Sequence, residues 1–233
     1  MITVAPTGAE TRKADAPALP VTLDELVATA RACEAAGAAL VHVHIRDDDA
    51  RPSLDLTRLA DTVSALREAT TMVVQLSTGG SVHDPLASRL RVLDAQPDSC
   101  SLTCGTVNFG DDVFMNPWPF MAELYQASQV AQIVPEFELF DLGQVTAMRR
   151  LLDTYGAPFG GQVHADLVMG VPGGMPGTAA ALVAAVAALP DGCSWSATGI
   201  GRTSLPVALA ALSAGALLSW LGWQLGRLSL CRM

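Results

Sequence analysis

Positive charge is scarce in this chain. Its 233 residues hold 14 Lys and Arg against 23 Asp and Glu, a formal net charge of −9. Nucleic-acid binding rests on a basic patch or stripe, so that class of partner is excluded. The acidity otherwise speaks to solubility. Cysteine is sparse and unpatterned. Cys33, Cys100, Cys104, Cys193 and Cys231 form no CxxC pair and no even framework, which argues against a disulfide scaffold or a cysteine-built zinc site. They read as reduced thiols of a cytoplasmic protein. The opening run from Met1 to Pro6 lacks the basic segment and apolar core of a signal peptide. No internal repeat stands out and no linker divides the chain. One long stretch, residues 203–226, carries no formal charge. It is long enough to span a bilayer. Pro206 and Gly215 divide it, so it is expected to be a helix followed by an apolar tail, with no membrane partner.

What the chain does have is hydrophobic residue, 50% against 16% charged, enough for a sizeable core. The centre of the pattern is Ala39-Leu40-Val41-His42-Val43-His44-Ile45-Arg46-Asp47. The β-branched residues predict a strand, and in a strand residues i and i+2 share a face, with Cα atoms roughly 6–7 Å apart. His42 and His44 therefore project together, close enough to share one metal ion. The alternative is a pair of buried histidines bonded to backbone. A preceding helix that ends in Ala-Ala-Gly, and a polar loop that follows, favour the active end of a βα unit.

Strand and helix signals alternate along the chain. Thr22 with Glu25 predicts a capped helix, ending at Gly37. Further helices are expected over 54–68, 85–93, 118–130, 142–155 and 179–189, and from about 205. Strands are expected over 2–5, 71–76, 100–104, 133–140, 161–168 and 193–198. This order argues for an α/β fold with a parallel sheet, a TIM (β/α)8-type barrel. About seven β/α units are recognisable, and the eighth strand is missing or replaced. Polar residues gather at strand ends: Glu10, His42, His44, Ser77, Ser101, Thr106, Glu138 and His164. In a barrel such ends converge on one mouth.

The order of several short motifs is familiar. Gly8-Ala9-Glu10, His42-Val43-His44-Ile45-Arg46, Ser77-Thr78-Gly79-Gly80, the run from Cys104 to Gly110, the run from Pro135 to Asp141 and Gly199-Ile200-Gly201-Arg202 together resemble the β-keto acid cleavage enzymes. The resemblance covers residues 1 to about 215. It implies a TIM barrel, a zinc ion, a homo-oligomer (usually a tetramer) and a retro-Claisen reaction. In that reaction a β-keto acid and acetyl-CoA give acetoacetate and a new acyl-CoA. By this resemblance His42 and His44 are zinc ligands, and Glu10 and Ser77 are catalytic. Gly80, Ser101, Thr106 and Glu138 bind substrate, with Glu138 in the region that tunes substrate choice.

The same resemblance implies an eighth strand carrying Arg, Glu and Asp, the Glu being the third zinc ligand. Here that place reads Gly215-Ala216-Leu217-Leu218-Ser219-Trp220-Leu221-Gly222-Trp223, and no acidic residue follows Asp191. Residues 1–215 are therefore expected to form the barrel domain and 216–233 an aberrant apolar tail. Glu138, His164 or Asp166 could substitute for the missing ligand. Two other readings stay open. One is an amidohydrolase-like metal hydrolase using His164 and Asp166, which leaves the STGG and CGTxNFG motifs unexplained. The other is a catalytically impaired remnant of the cleavage family.

Overall fold

The computed structural model describes residues 1–9 and 11–220, with the backbone alone for 217–220. They form two compact units, the first made of residues up to Asp98 together with Trp220, the second of Ser99–Ser219.

In the first unit, β1 (Ile2–Val4), β2 (Leu40–Val43) and β5 (Val73–Leu76) form a parallel sheet in the order β1-β2-β5. Three helices connect and flank them: α1 (Leu23–Ala35), α2 (Leu56–Ala69) and α3 (Leu86–Leu90), which runs on as a 3-10 turn to Ala95. The start of α1 is set as the sequence predicts. Thr22 Oγ1 accepts the Glu25 N–H, and the Glu25 carboxylate accepts the Thr22 N–H, satisfying donors the first turn leaves open. Gly37, at φ +101°, turns the chain out of the helix. Val41, Val43, Val74 and Leu76 are buried against Leu26, Ala30, Leu59, Val63 and Leu66 of α1 and α2. Each such aliphatic side chain contributes roughly 1.5–3 kcal/mol on burial. A short antiparallel pair, β3 (Ile45–Arg46) with β4 (Pro52–Ser53), follows β2. Ile45 and Arg46 fall within the strand expected from sequence; the break at His44 and the pairing with Pro52–Ser53 are not anticipated there.

In the second unit five strands lie parallel: β6 (Ser99–Thr103), β9 (Val134–Leu139), β10 (His164–Met169), β11 (Ser194–Gly199) and β12 (Leu217–Trp220). Between them run α4 (Trp118–Ala131), α5 (Leu142–Tyr155), α6 (Ala179–Ala188) and α7 (Ser204–Ser213). A hairpin not anticipated from sequence, β7 (Val107–Phe109) with β8 (Asp112–Phe114), occupies the CGTxNFG segment. The eighth place in the βα order is filled by β12, which pairs with β11 through Ser196–Leu217 and Ala197–Leu218. The strand is thus replaced in sequence, and the position is kept. Among the described residues no helix is long and apolar enough to cross a membrane. The described part of the uncharged stretch, residues 204–220, is a ten-residue helix, a turn at Gly215 (φ +82°) and a strand.

Candidate active site

The first unit carries the histidine pair. His42 lies on β2, and His44 follows where the strand ends. Their Nε2 atoms are 3.1 Å apart. Two nitrogens held at about 2.0–2.1 Å from one zinc ion at a tetrahedral angle stand about 3.3–3.4 Å apart, so the pair is pre-set to grip one ion. The register of β2 and β5 places Gln75 beside His42, and its Oε1 lies 2.5 Å from His42 Nδ1. His44 is held uncharged. Burial first, then the adjacent His42 and Arg46, push its pKa well below the ordinary 6.5. Neutral imidazole is the metal-binding form. Among the described residues, no group of three or more His, Cys, Asp or Glu could hold a metal ion. The pair fits two coordination positions, and among the described residues no third donor of those types joins it.

Two neighbours shape the pair. His44 N–H donates to Thr7 Oγ1 at 3.0 Å. The buried Arg46 guanidinium donates to the carbonyls of Thr7, Gly8 and Thr11 at 3.2, 2.8 and 3.4 Å. The third residue of HxHxR is therefore a clamp on the N-terminal loop. Glu10, within that loop, lies outside the described residues.

The STGG loop begins where β5 ends. Ser77 Oγ accepts the Gly79 N–H at 3.0 Å, which leaves the hydroxyl proton to donate. The buried Arg89 fixes the loop from beneath, its Nε donating to Thr78 O at 2.7 Å. Gly80 takes φ +61°, and a Cβ there would stand 2.1 Å from Asp84 Oδ2. Only glycine meets both demands.

The second unit carries a separate polar face. Glu136 and Glu138 lie on β9, His164 and Asp166 on β10, and Ser194, Ser196 and Thr198 on β11. Strand register aligns His164 with Ser194 and Asp166 with both Ser196 and Glu138. Ser196 and Thr198 hydroxyls each donate to Asp166 at 2.7 Å. The His164 ring lies 2.9 Å from Ser194 Oγ, 3.2 Å from Ser196 Oγ and 3.5 Å from Glu136 Oε2. Burial lowers its pKa to about 4. Thr103 Oγ1 donates to Glu138 Oε2 at 2.7 Å. Ser101 is buried on β6 in register with Glu136. Thr106 is exposed and accepts the Asn116 N–H at 2.9 Å. Cys100 and Cys104 are buried thiols, and burial raises the first to about 12; neither is a ready nucleophile.

Structure thus groups His42, His44, Ser77 and Gly80 within one unit, and Ser101, Thr106 and Glu138 within the other. Sequence reasoning missed Gln75, Thr103, Ser194, Ser196 and Thr198. The alternation Ser194-Trp195-Ser196-Ala197-Thr198 was an available signal, since period-two polarity marks one face of a strand.

A family model described as beta-keto acid cleavage enzyme matches residues 1–218. The chain belongs to that family. The 3-keto-5-aminohexanoate cleavage enzyme of Fusobacterium nucleatum is 33% identical over 218 residues, covering 92% of this chain and 78% of the relative. A 3-oxoadipate:acetyl-CoA acetyltransferase of Cupriavidus necator is 37% identical over 225 residues, covering 92% and 76%. Among solved structures, a ternary complex of ObcA with a C4-CoA adduct and oxalate superposes with a TM-score of 0.72 at 20% identity. It covers 89% of this chain, which spans 57% of that one. That likeness speaks to fold alone, and it agrees with a TIM (β/α)8-type architecture. The beta-keto acid cleavage family is a family of enzymes, and relatives carry acetyl-CoA in their names.

Proposed function

We propose that this chain is built for zinc-dependent cleavage of a β-keto acid with acetyl-CoA, giving acetoacetate and the shortened acyl-CoA. In that exchange C2 of the keto acid joins the acetyl carbonyl carbon, the C2–C3 bond and the acetyl–sulfur bond break, and the coenzyme A sulfur passes to the C3 acyl group. The observation that carries the reading is the His42–His44 pair, whose Nε2 atoms lie 3.1 Å apart, with the His44 ring kept neutral by burial.

A zinc ion held there would supply Lewis-acid polarisation of the 3-keto oxygen. The protein's own groups do the rest. Ser77 and the backbone of Gly79-Gly80 receive the carboxylate, and Glu10 moves the C2 proton. Ser101 and Thr106 contact substrate, and Glu138, held by Thr103, favours a cationic or hydroxyl-bearing tail. Residues 1–215 form the catalytic domain and 216–233 the aberrant tail. The working form is a cytoplasmic homo-oligomer, a tetramer as the resemblance implies.

A second reading is favoured by one observation. The strand in the eighth place is Leu-Leu-Ser-Trp, where the resemblance implies Arg, Glu and Asp. On that reading the chain keeps the histidine pair and cleaves poorly. Elemental analysis after dialysis, with a coupled assay for acetyl-CoA-dependent acetoacetate formation, tests both. Zinc bound by the parent and lost from His42→Ala and His44→Ala supports the metal site, and turnover separates the two readings. Unchanged metal content in both variants would place the site elsewhere.

A further inference from the structure

Gln75 is fully buried in the middle of β5, in a strand whose other residues are apolar. Burying an amide is costly unless its groups are bonded, so its presence calls for a partner. Strand register supplies His42, 33 residues away in sequence, at 2.5 Å between Oε1 and Nδ1. An amide oxygen can only accept. The His42 proton therefore sits on Nδ1, and Nε2 carries a lone pair. That lone pair stands 3.1 Å from His44 Nε2, where a shared ion would bind. His44 has no equivalent support, since its Nδ1 is buried without a hydrogen-bond partner.

The consequence of losing the Gln75 oxygen follows from the same geometry. His42 would be free to carry its proton on Nε2 and donate it to His44 Nε2. His42 Nε2 would then be the donor of the 3.1 Å contact the two rings already make, and its lone pair would be lost to the ion.

We propose that Gln75 is the positioning residue of this site, selecting the His42 tautomer that leaves Nε2 open to the metal. The metal part of this inference rests on the zinc reading above; the tautomer part does not. Partners that orient a ligating histidine through its second nitrogen typically matter by about 10–100-fold in metal affinity.

The test uses the full chain and two variants of nearly equal volume, Gln75→Met and Gln75→Glu, checked for folding by circular dichroism. Long-range proton–nitrogen correlation spectra of metal-free protein report the tautomer. The parent and Gln75→Glu are expected to show His42 protonated at Nδ1, and Gln75→Met to shift it towards Nε2. Zinc titration is expected to give about 10–100-fold weaker binding for Gln75→Met, and binding at least as tight as the parent for Gln75→Glu. The proposal is overturned if the parent shows His42 protonated at Nε2. Gln75→Met keeping the parent's tautomer, or matching its zinc affinity, overturns it equally. If the parent takes up no zinc that His42→Ala removes, the zinc reading fails, and the metal-free spectra alone decide what Gln75 does.

Discussion

The two polar faces differ in how far apart their members lie along the chain. In the first unit the two imidazoles are two residues apart on one strand and its exit, and their meeting at 3.1 Å needs little beyond an extended backbone. In the second, His164 meets Ser194 and Ser196 across 30 and 32 residues. Its network exists only when β10 and β11 pair in one register. A site made within a strand survives loosening of the sheet around it. One made between strands is set by tertiary structure, and a one-residue slip would turn its side chains to the other face.

The largest test of this contrast asks whether the local pair suffices for chemistry. Replacing residues 215–223 by a strand carrying Arg, Glu and Asp is expected to raise acetoacetate formation by at least about 10²–10³-fold, the usual worth of one well-placed electrostatic group. Ordinary turnover by the unaltered chain would show that the pair needs no such help.

Next in size is the acid response of the second face. His164 has a folded pKa of about 4, below the unfolded value near 6.5. The unfolded chain therefore takes up the proton first. Stability from this group is full above pH 6.5 and is lost as pH falls towards 4, roughly 2–3 kcal/mol between pH 7.5 and 4.5. His44 acts in the same direction. In His164→Gln, denaturant unfolding at the two pH values should show a loss smaller by about that amount. An unchanged difference would refute the assignment.

Substrate choice sharpens the comparison further. Glu138→Ala should shift preference towards apolar-tailed keto acids, and Thr103→Val, which removes the hydroxyl holding that carboxylate, should do so less. Equal loss of kcat/KM across charged and apolar substrates would remove Glu138 from the specificity role.

The smallest effect is local and structural. Thr22→Ala removes the cap of α1 and is expected to cost about 1 kcal/mol, with metal uptake unchanged.

Legibility in the sequence followed the same divide. The capped start of α1, helix 142–155 and the alternation of strands and helices were readable because each depends on neighbours a few residues apart. The facing of His42 and His44 followed from period two alone. Gln75 was passed over because its meaning appears only when β5 lies beside β2. The pairs β3–β4 and β7–β8 escaped because segments of two or three residues leave no period to read. The eighth strand was marked as missing or replaced on the chemistry of its residues. Backbone pairing with β11 fills the place regardless, since a ladder needs N–H and C=O groups and is indifferent to carboxylates.

Arg46 has one consequence in time. Its guanidinium holds the carbonyl of Thr11 from 35 residues further along the chain. A ribosome releases the loop of residues 7–11 well before the side chain that will fasten it, so the nascent N-terminus waits undocked until β2 and the turn beyond it have emerged. For this protein the segment holding Thr7, Gly8 and Thr11 is fastened only once the middle of its first unit has emerged, and a nascent-chain stall short of residue 46 should leave that segment open to protease.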